Sequence, residues 1–283
     1  MTGFDLSLGA LSPLGAHALA ETLDGGQCFR WRRLDDGCWR GVSGTTAAEI
    51  REVLSGFRAR LIAGDASQLS HHLAEDIDWH ALADRLPWRS DAHLARCIKA
   101  FPGLRILRQP FMETLLCFLC SATKQIVQIK QMAAALAVQF GRELVPGIHA
   151  LPTWDRLAEA SEERLRTCQL GFRASYILQV ARFFESRPAW LDETASLPYP
   201  QARERLMELP GVGGKIADCA LLFGAEKLDA FPVDVWLLRA MARHYGLDGW
   251  KPAQIAHFGR VHFGPLAGLA QQYLFAWERR FGM

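Results

Sequence analysis

Hydrophobic positions in the last two thirds of the chain follow a helical period. Between residues 126 and 140, apolar side chains recur every three or four positions and Gly141 follows, which predicts an amphipathic helix ending there. The same spacing predicts two short helices around Leu157 and Leu165, one through Tyr176, Val180 and Phe183, one over Val235, Leu238, Met241, Ala242 and Tyr245 before Gly246, and one from Leu266 to Phe281.

The first third of the chain alternates apolar and polar residues instead. Two such runs, residues 28–33 and 38–42, flank Asp36-Gly37, a dipeptide favoured in hairpin turns. They predict two short antiparallel strands, with helical character from about residue 67. We therefore predict an α+β protein: a mixed N-terminal domain over residues 1–90 with a small antiparallel sheet, then an all-helical region over residues 91–283.

Composition is that of a folded chain without membrane spans. Half of the 283 residues are hydrophobic and 22% are charged. No apolar run reaches the roughly 18 residues of a membrane span. The first six residues carry no basic segment before an apolar one, so we expect no export signal and an intracellular protein.

Charge and cysteine usage exclude little. Residues 1–90 carry nine basic and 12 acidic side chains, which leaves 23 and 18 for the rest. This asymmetry suits a DNA-binding face in the helical region and fits chance equally well.

The seven cysteines are odd in number and scattered, and Cys117-x-x-Cys120 lies in an apolar run, which favours buried thiols over a disulfide framework. No cluster of four could hold an iron–sulfur centre, and no cofactor is expected.

The most informative segment is a glycine-rich turn between two predicted helices, over residues 201–223. One helix is predicted to end at Pro210-Gly211 and the next to open near Lys215. Free N–H groups at such a helix start can hold a phosphate. A helical hairpin without function is the alternative, but the whole string favours DNA contact. The residues predicted to pack the two helices together are Leu206, Met207, Leu209, Ile216, Ala217, Ala220 and Leu221.

Lys215 and Asp234 carry the candidate chemistry. A neutral lysine amine is a nucleophile that can form a Schiff base, although a lysine here could equally be a phosphate contact. Asp234 precedes a predicted helix and could be its N-cap. Because capping and catalysis are compatible, we expect Asp234 to do both.

These residues resemble the helix–hairpin–helix base-excision glycosylases, and more narrowly the 8-oxoguanine DNA glycosylase/lyases. The resemblance covers nearly the whole chain. Its segments are residues 26–31, 106–109, 118–121, 170–174, 206–219, 232–235 and 268–275. It implies a helical glycosylase region in two helical subdomains after the sheet domain.

The resemblance also implies a reaction. A damaged nucleotide flips out of the duplex into a pocket. Lys215 attacks the sugar at C1′, displaces the base and forms a Schiff base, and β-elimination nicks the strand on the 3′ side. Asp234 stabilises the positive charge that develops on the sugar.

Further roles follow from the resemblance alone. Gly26 would accept the N7–H of 8-oxoguanine through its carbonyl, and Gln271 would read the Watson–Crick edge. Phe275 and Cys219 would cover the faces of the base, with Cys219 as a thiolate beside the lysine. Implied DNA contacts are the wedge Phe172, the cytosine-reading Arg173, Trp236, and the hairpin residues Gly211, Val212, Gly213 and Gly214. The carbonyls of Met207, Leu209 and Val212 match a structural cation site.

This sequence departs from the eukaryotic members at three places, one of them Gln128, where the family has an arginine. Thr123, Lys124 and Gln125 replace a run of asparagines that contacts cytosine, so we expect relaxed discrimination of the opposite base. Trp236 replaces a histidine, whose acidic partner falls at Glu278, and these paired changes favour a rebuilt contact over a lost one. These departures are typical of a bacterial relative, in the cytoplasm and at the nucleoid.

Two alternatives stay open. One is a related glycosylase that removes alkylated or other oxidised bases without lyase activity, against which Lys215 argues. The other is a DNA-binding module without catalysis, which the pairing of Lys215 with Asp234 disfavours. The expected partner is double-stranded DNA containing oxidised guanine, bound by a monomer, with no membrane involved.

Overall fold

The structure is a computed structural model that describes residues 6–8, 16–53 and 56–282. Residues 1–5, most of the segment searched for an export signal, lie outside these ranges. Among the described residues, no helix is both long and apolar enough to cross a lipid bilayer.

An antiparallel sheet of five strands forms the N-terminal part, in the order β1-β5-β4-β3-β2. The predicted strand pair is confirmed as β2 and β3, with Gly37 in the turn at φ +83°. The pattern missed β4 because its first five residues are all buried, so apolar and polar positions do not alternate there. The strands are β1 (Leu6–Ser7), β2 (Trp31–Arg33), β3 (Trp39–Ser43), β4 (Thr46–Val53) and β5 (Gly56–Ala63).

Helices make up most of the chain beyond the sheet, and those predicted from the hydrophobic period are confirmed. One of them begins at Ile126 and ends at Phe140, before Gly141. The helices are α1 (Ala16–Asp24), α2 (Ala66–His72), α3 (Trp79–Asp84), α4 (Ala92–Ala100), α5 (Phe111–Leu119), α6 (Ile126–Phe140), α7 (Trp154–Ala158), α8 (Glu162–Arg166), α9 (Arg173–Glu185), α10 (Trp190–Ser196), α11 (Tyr199–Leu206), α12 (Gly214–Gly224), α13 (Val235–Tyr245), α14 (Pro252–Phe263) and α15 (Ala267–Phe281), with a 3₁₀ turn at Gly264–Leu266.

Two details of the helical region differ from the prediction. The region is not entirely helical, because β6 (Glu143–Val145) and β7 (Ile148–His149) form a two-stranded ribbon after α6. Within α13, Val235 is 60% exposed, whereas Leu237 and Met241 are buried. The prediction placed Val235 on the buried apolar face, whereas the first turn of α13 borders an open cleft rather than the core.

A buried glutamine joins the end of α1 to the helical region. The Gln27 side chain donates to the carbonyl of Arg105 (2.9 Å) and accepts from the N–H of Leu107 (2.8 Å). The main-chain carbonyl of Gln27 accepts from the Gln109 side chain (2.7 Å). With both ends of the amide used, the backbone at neighbouring Gly26 is held in one place.

Candidate active site

The predicted hairpin is formed by α11 and α12. Gly211 has φ +79°, a conformation that suits glycine, and an added Cβ would lie 2.7 Å from the Tyr176 ring. Gly213 is the N-cap of α12 and makes no side-chain cap. The first N–H groups of a helix have no partner within the helix, so they remain available to an anion at this turn.

Asp218 ties the two hairpin helices together. This carboxylate, 2% exposed, accepts from the Tyr199 hydroxyl (2.8 Å) and from Arg203 Nε (2.7 Å). Burial raises the pKa of Asp218, and the Arg203 charge lowers it. An added Cβ at Gly214 would lie 2.3 Å from Arg203 Nη2, so the guanidinium occupies the space beside the start of α12. Sequence reasoning missed this network.

One residue predicted to pack the hairpin does not do so. Met207 is 42% exposed, whereas Leu206 and Leu209 are buried. Met207 is the C-cap of α11, where the chain turns, so its side chain leaves the apolar face.

Lys215 lies in the first turn of α12 with its side chain directed into the cleft. Its Nζ donates to Ser121 Oγ at 3.1 Å and lies 5.0 Å from the centroid of the Phe118 ring. Ser121 Oγ in turn donates to the carbonyl of Phe118 (2.7 Å). Ser121 falls within one of the segments that carry the family resemblance, 118–121, but the sequence did not predict its contact with the lysine.

Asp234 caps α13, as predicted. One oxygen of its carboxylate accepts from the N–H groups of Trp236 (3.0 Å) and Leu237 (2.9 Å). Burial raises the pKa of Asp234, while the Leu237 N–H and the charge of Lys215 lower it. Lys215 and Asp234 line the same cavity.

All four residues predicted to contact the base line that cavity too. It has a volume of about 50 Å³. Gly26 has φ +99°, and an added Cβ there would lie 2.8 Å from Ile126 Cδ1. Gln271 is 4% exposed and accepts from the Gln272 side chain (2.6 Å). The residues that line the cavity include Gly26, Lys215, Cys219, Asp234, Gln271 and Phe275.

The surroundings of Cys219 disfavour the predicted thiolate. Cys219 is 4% exposed, and burial raises the pKa of its thiol to about 12, although the charge of Lys215 lowers it. Desolvation outweighs the nearby ammonium because a buried thiolate loses its hydration. Cys219 is therefore a neutral, polarisable wall of the cavity.

A wider cleft of about 970 Å³ adjoins this cavity and shares Gly26, Lys215, Asp234 and Phe275 with it. Its two sides come from distant parts of the sequence. One side carries the hairpin glycines and the start of α13, and the other carries the turn before α6. The predicted DNA contacts that line it are Thr123, Lys124, Gln125, Gly213, Gly214 and Trp236.

Family models match both parts of this architecture. Residues 13–115 match the model described as 8-oxoguanine DNA glycosylase, N-terminal domain. Residues 116–260 match that of the HhH-GPD superfamily of base-excision DNA repair proteins. The two matches meet at residue 115, whereas the hydrophobic pattern predicted a boundary at residue 90.

Relatives extend over nearly the whole chain. An N-glycosylase/DNA lyase of Arabidopsis thaliana is 31% identical over 288 residues, covering 92% of this chain and 77% of the relative. The N-glycosylase/DNA lyase of Saccharomyces cerevisiae is 31% identical, covering 82% and 69%. This chain belongs to the 8-oxoguanine DNA glycosylase family. The fold also matches that of a Clostridium acetobutylicum 8-oxoguanine glycosylase/lyase, solved with DNA containing cytosine opposite 8-oxoguanine, at a TM-score of 0.88 and 31% identity over 94% of this chain and 92% of the other.

Two residues that the family resemblance assigns to the opposite strand lie at the start of α9, and they differ in exposure. Phe172 is 52% exposed and lies edge-on to Tyr176, at 6.1 Å between ring centroids. Arg173 is 3% exposed and its guanidinium lies 4.4 Å from the Phe172 ring. The structure thus presents Phe172 to solvent and holds Arg173 inside.

Glu278 pairs with the last turn of α13 and not with Trp236. Glu278 is fully buried, and its carboxylate lies 3.1 Å from Arg243 and 3.6 Å from His244, in the last turn of α13. Trp236 lies in the first turn of that helix, with the Arg239 guanidinium 5.2 Å from its ring. The two residues are separated by most of the length of α13.

Side-chain metal ligands are not clustered: no group of three or more His, Cys, Asp or Glu residues suited to a metal ion occurs within the described ranges. The predicted cation site consists of backbone carbonyls instead. Among these, the carbonyl of Leu209 accepts from the Val212 N–H (3.1 Å). Three neutral oxygen donors on one turn fit a weakly held hard cation.

Proposed function

We propose that this protein is a DNA glycosylase and abasic-site lyase that removes 8-oxoguanine from duplex DNA through a Schiff base on Lys215. One observation supports it above the others. A nucleophilic amine and a carboxylate line one small cavity together with a glycine carbonyl, a buried glutamine amide, an aromatic ring and a thiol. That set suits an electron-rich purine held beside a reactive sugar.

The reaction begins with nucleotide flipping. The cavity of about 50 Å³ holds a few water molecules at most, so it must widen to admit a purine. Phe275, which is only partly buried, is the side chain best placed to move. Gly26 then accepts the N7–H of the lesion, and Gln271 reads its Watson–Crick edge.

Lys215 carries out the covalent chemistry. Its neutral amine attacks C1′, the bond from C1′ to the base nitrogen breaks, and the base leaves with the electron pair and acquires a proton. The sugar ring opens to a Schiff base between Nζ and C1′. Loss of a proton from C2′ then expels the 3′ phosphate and nicks the strand.

Asp234 acts through its charge. As positive charge develops on the sugar, a carboxylate in a water-poor cavity stabilises it more strongly than it would in bulk water. The two N–H groups at the start of α13 hold one oxygen of this carboxylate in a fixed direction.

The hairpin holds the backbone of the same strand. Its free N–H groups at residues 213–215 bind a phosphate, and a cation on the carbonyls of Met207, Leu209 and Val212 would add charge beneath it. Because the substrate is chromosomal DNA, we propose that the enzyme acts as a monomer in a bacterial cytoplasm, at the nucleoid.

The proposal is tested with duplexes that carry 8-oxoguanine, guanine or an alkylated purine at one position. We expect release of 8-oxoguanine accompanied by a nick on its 3′ side, and no release of guanine. Release of alkylated purines alone, without a nick, would reassign the protein to the hydrolytic branch of the superfamily.

A further inference from the structure

A short turn between α5 and α6, residues 121–123, contacts two side chains with different predicted tasks. Lys215 reaches it from the hairpin, and Arg173 reaches it from the start of α9. Neither contact could be read from the sequence, since the partners are 94 and 50 residues apart.

Ser121 fixes the lysine amine. Its hydroxyl proton is committed to the Phe118 carbonyl (2.7 Å), so its oxygen can only accept from Lys215 Nζ (3.1 Å). Ser121 is 7% exposed, which leaves the hydroxyl little freedom to reorient. A shift of the backbone at Ser121 would therefore move or release the amine.

Arg173 holds the other end of the turn. Its Nη2 donates to the Ala122 carbonyl and to Thr123 Oγ1 (3.0 Å), and its Nη1 donates to the Leu170 carbonyl (3.1 Å). Because Arg173 is only 3% exposed, its guanidinium must leave this position, and with it the bonds to the turn, to contact a base on the opposite strand.

The turn is strained where the arginine holds it. Thr123 has φ +56°, a left-handed conformation that is unfavourable for a β-branched residue. The bonds from Arg173 oppose this strain. If Arg173 leaves, the turn can relax, and Ser121 lies two residues away.

We propose that the 121–123 turn couples the base opposite the lesion to the catalytic lysine. When Arg173 contacts the opposite base, the turn relaxes and Ser121 changes its hold on Lys215 Nζ, so the rate of Schiff-base formation depends on that base. Ser121 and Thr123 are then positioning residues. The inference rests on the proposed function, through the roles of Lys215 and Arg173.

The test uses duplexes with a ready-made abasic site, so that removal of 8-oxoguanine is not required. The amine of Lys215 condenses with the sugar aldehyde and water is lost, and borohydride reduces the resulting Schiff base to a stable adduct. Single-turnover trapping rates are compared with cytosine opposite the abasic site and with no base opposite. For the wild type we expect these two trapping rates to differ by about fivefold, which is the effect of one hydrogen bond of about 1 kcal/mol. The ratio of these two rates is compared across the variants.

Three variants locate the coupling. Ser121→Ala and Thr123→Val should each bring the ratio to within about twofold of one, because each removes one link of the turn. Thr123→Ser keeps the hydroxyl and should keep the ratio. Thr167→Val removes an exposed hydroxyl outside the cleft, bonded to Gln139, and serves as the matched control. Thermal unfolding of each variant identifies any that is misfolded.

The outcomes separate the inference from the function on which it rests. A wild-type ratio near one, or a ratio that survives in either Ser121→Ala or Thr123→Val, would overturn the coupling. An equal slowing of both rates in Ser121→Ala would reduce Ser121 to local support of the lysine and also overturn it. Absence of any wild-type adduct would remove the proposed lyase chemistry itself.

Discussion

The two sides of the cleft are prepared for DNA to different degrees. On the hairpin side, α12 begins without a side-chain cap, and its N-cap Gly213 leaves space for a phosphate, since nothing lies within 4 Å of a Cβ added there. On the turn side, Arg173 and Ser121 are already bonded within the protein. The first side can bind DNA as it is, whereas the second must exchange partners, so affinity and discrimination arise from different sides of the site.

The largest effect is expected at the active site between them. Asp234→Asn should lower the single-turnover rate of 8-oxoguanine release about 10²–10³-fold, because a neutral amide cannot stabilise positive charge on the sugar. Rates are measured with enzyme in excess over the lesion duplex. Release undiminished in this variant would refute a catalytic role for Asp234.

The same substitution should not destabilise the fold. Asparagine can still cap α13, whereas Asp234→Ala should cost about 1 kcal/mol. Because the folded pKa of Asp234 is raised, its ionised form disfavours folding at neutral pH, and this penalty disappears as pH falls toward the unfolded value of about 3.9. The unfolding temperature of Asp234→Asn should therefore be at least that of the wild type at pH 7. Any difference in its favour should disappear in acid. A clear loss of stability at pH 7 would contradict this sign.

A glycine pair tests whether the hairpin side is preformed. Nothing lies within 4 Å of a Cβ added at Gly213, which lines the cleft, so Gly213→Ala should fold normally and weaken DNA binding about tenfold by blocking a phosphate. Gly211→Ala should instead lose about 1 kcal/mol or more of stability, since φ is +79° and the Tyr176 ring is in the way. Unfolding temperatures and dissociation constants check both, and wild-type affinity in Gly213→Ala would count against the phosphate site.

The turn side should give only modest discrimination. With Thr123, Lys124 and Gln125 in place of asparagines, we expect release rates opposite the four bases to agree within about tenfold, one to two hydrogen bonds. Single-turnover assays on the four duplexes measure this directly. A strict requirement for cytosine would show that the turn reads the base by contacts the sequence does not suggest.

The smallest effect concerns a single charge on the turn side. Lys124→Gln should reduce the slope of log affinity against log salt by about one, because one phosphate contact is lost. Lys251, exposed at the start of α14, does not line the cleft, so Lys251→Gln should leave the slope unchanged. Equal slopes for wild type and Lys124→Gln would place that lysine outside the DNA interface.

The same contrast explains what the sequence could predict. The hairpin, the lysine and the capping aspartate lie within 34 residues, 201–234, so spacing and residue type predict their arrangement. Gly26 and Gln271 reach the cavity from opposite ends of the chain and were found only through the family resemblance. Ser121 was missed because its bond to Lys215 spans 94 residues and has no local pattern. The Cys219 thiolate was suggested by the neighbouring charge of Lys215, and burial, which a sequence does not display, raises the thiol pKa against it.

The measurement that tests the account most directly is borohydride trapping on a duplex carrying one 8-oxoguanine opposite cytosine. Wild type and Lys215→Gln are compared, with Lys124→Gln as a second lysine variant from the same cleft. The account predicts a covalent adduct for the wild type and Lys124→Gln, and none for Lys215→Gln. An adduct that persists in Lys215→Gln, or a wild-type protein that releases the base without any adduct, would contradict it.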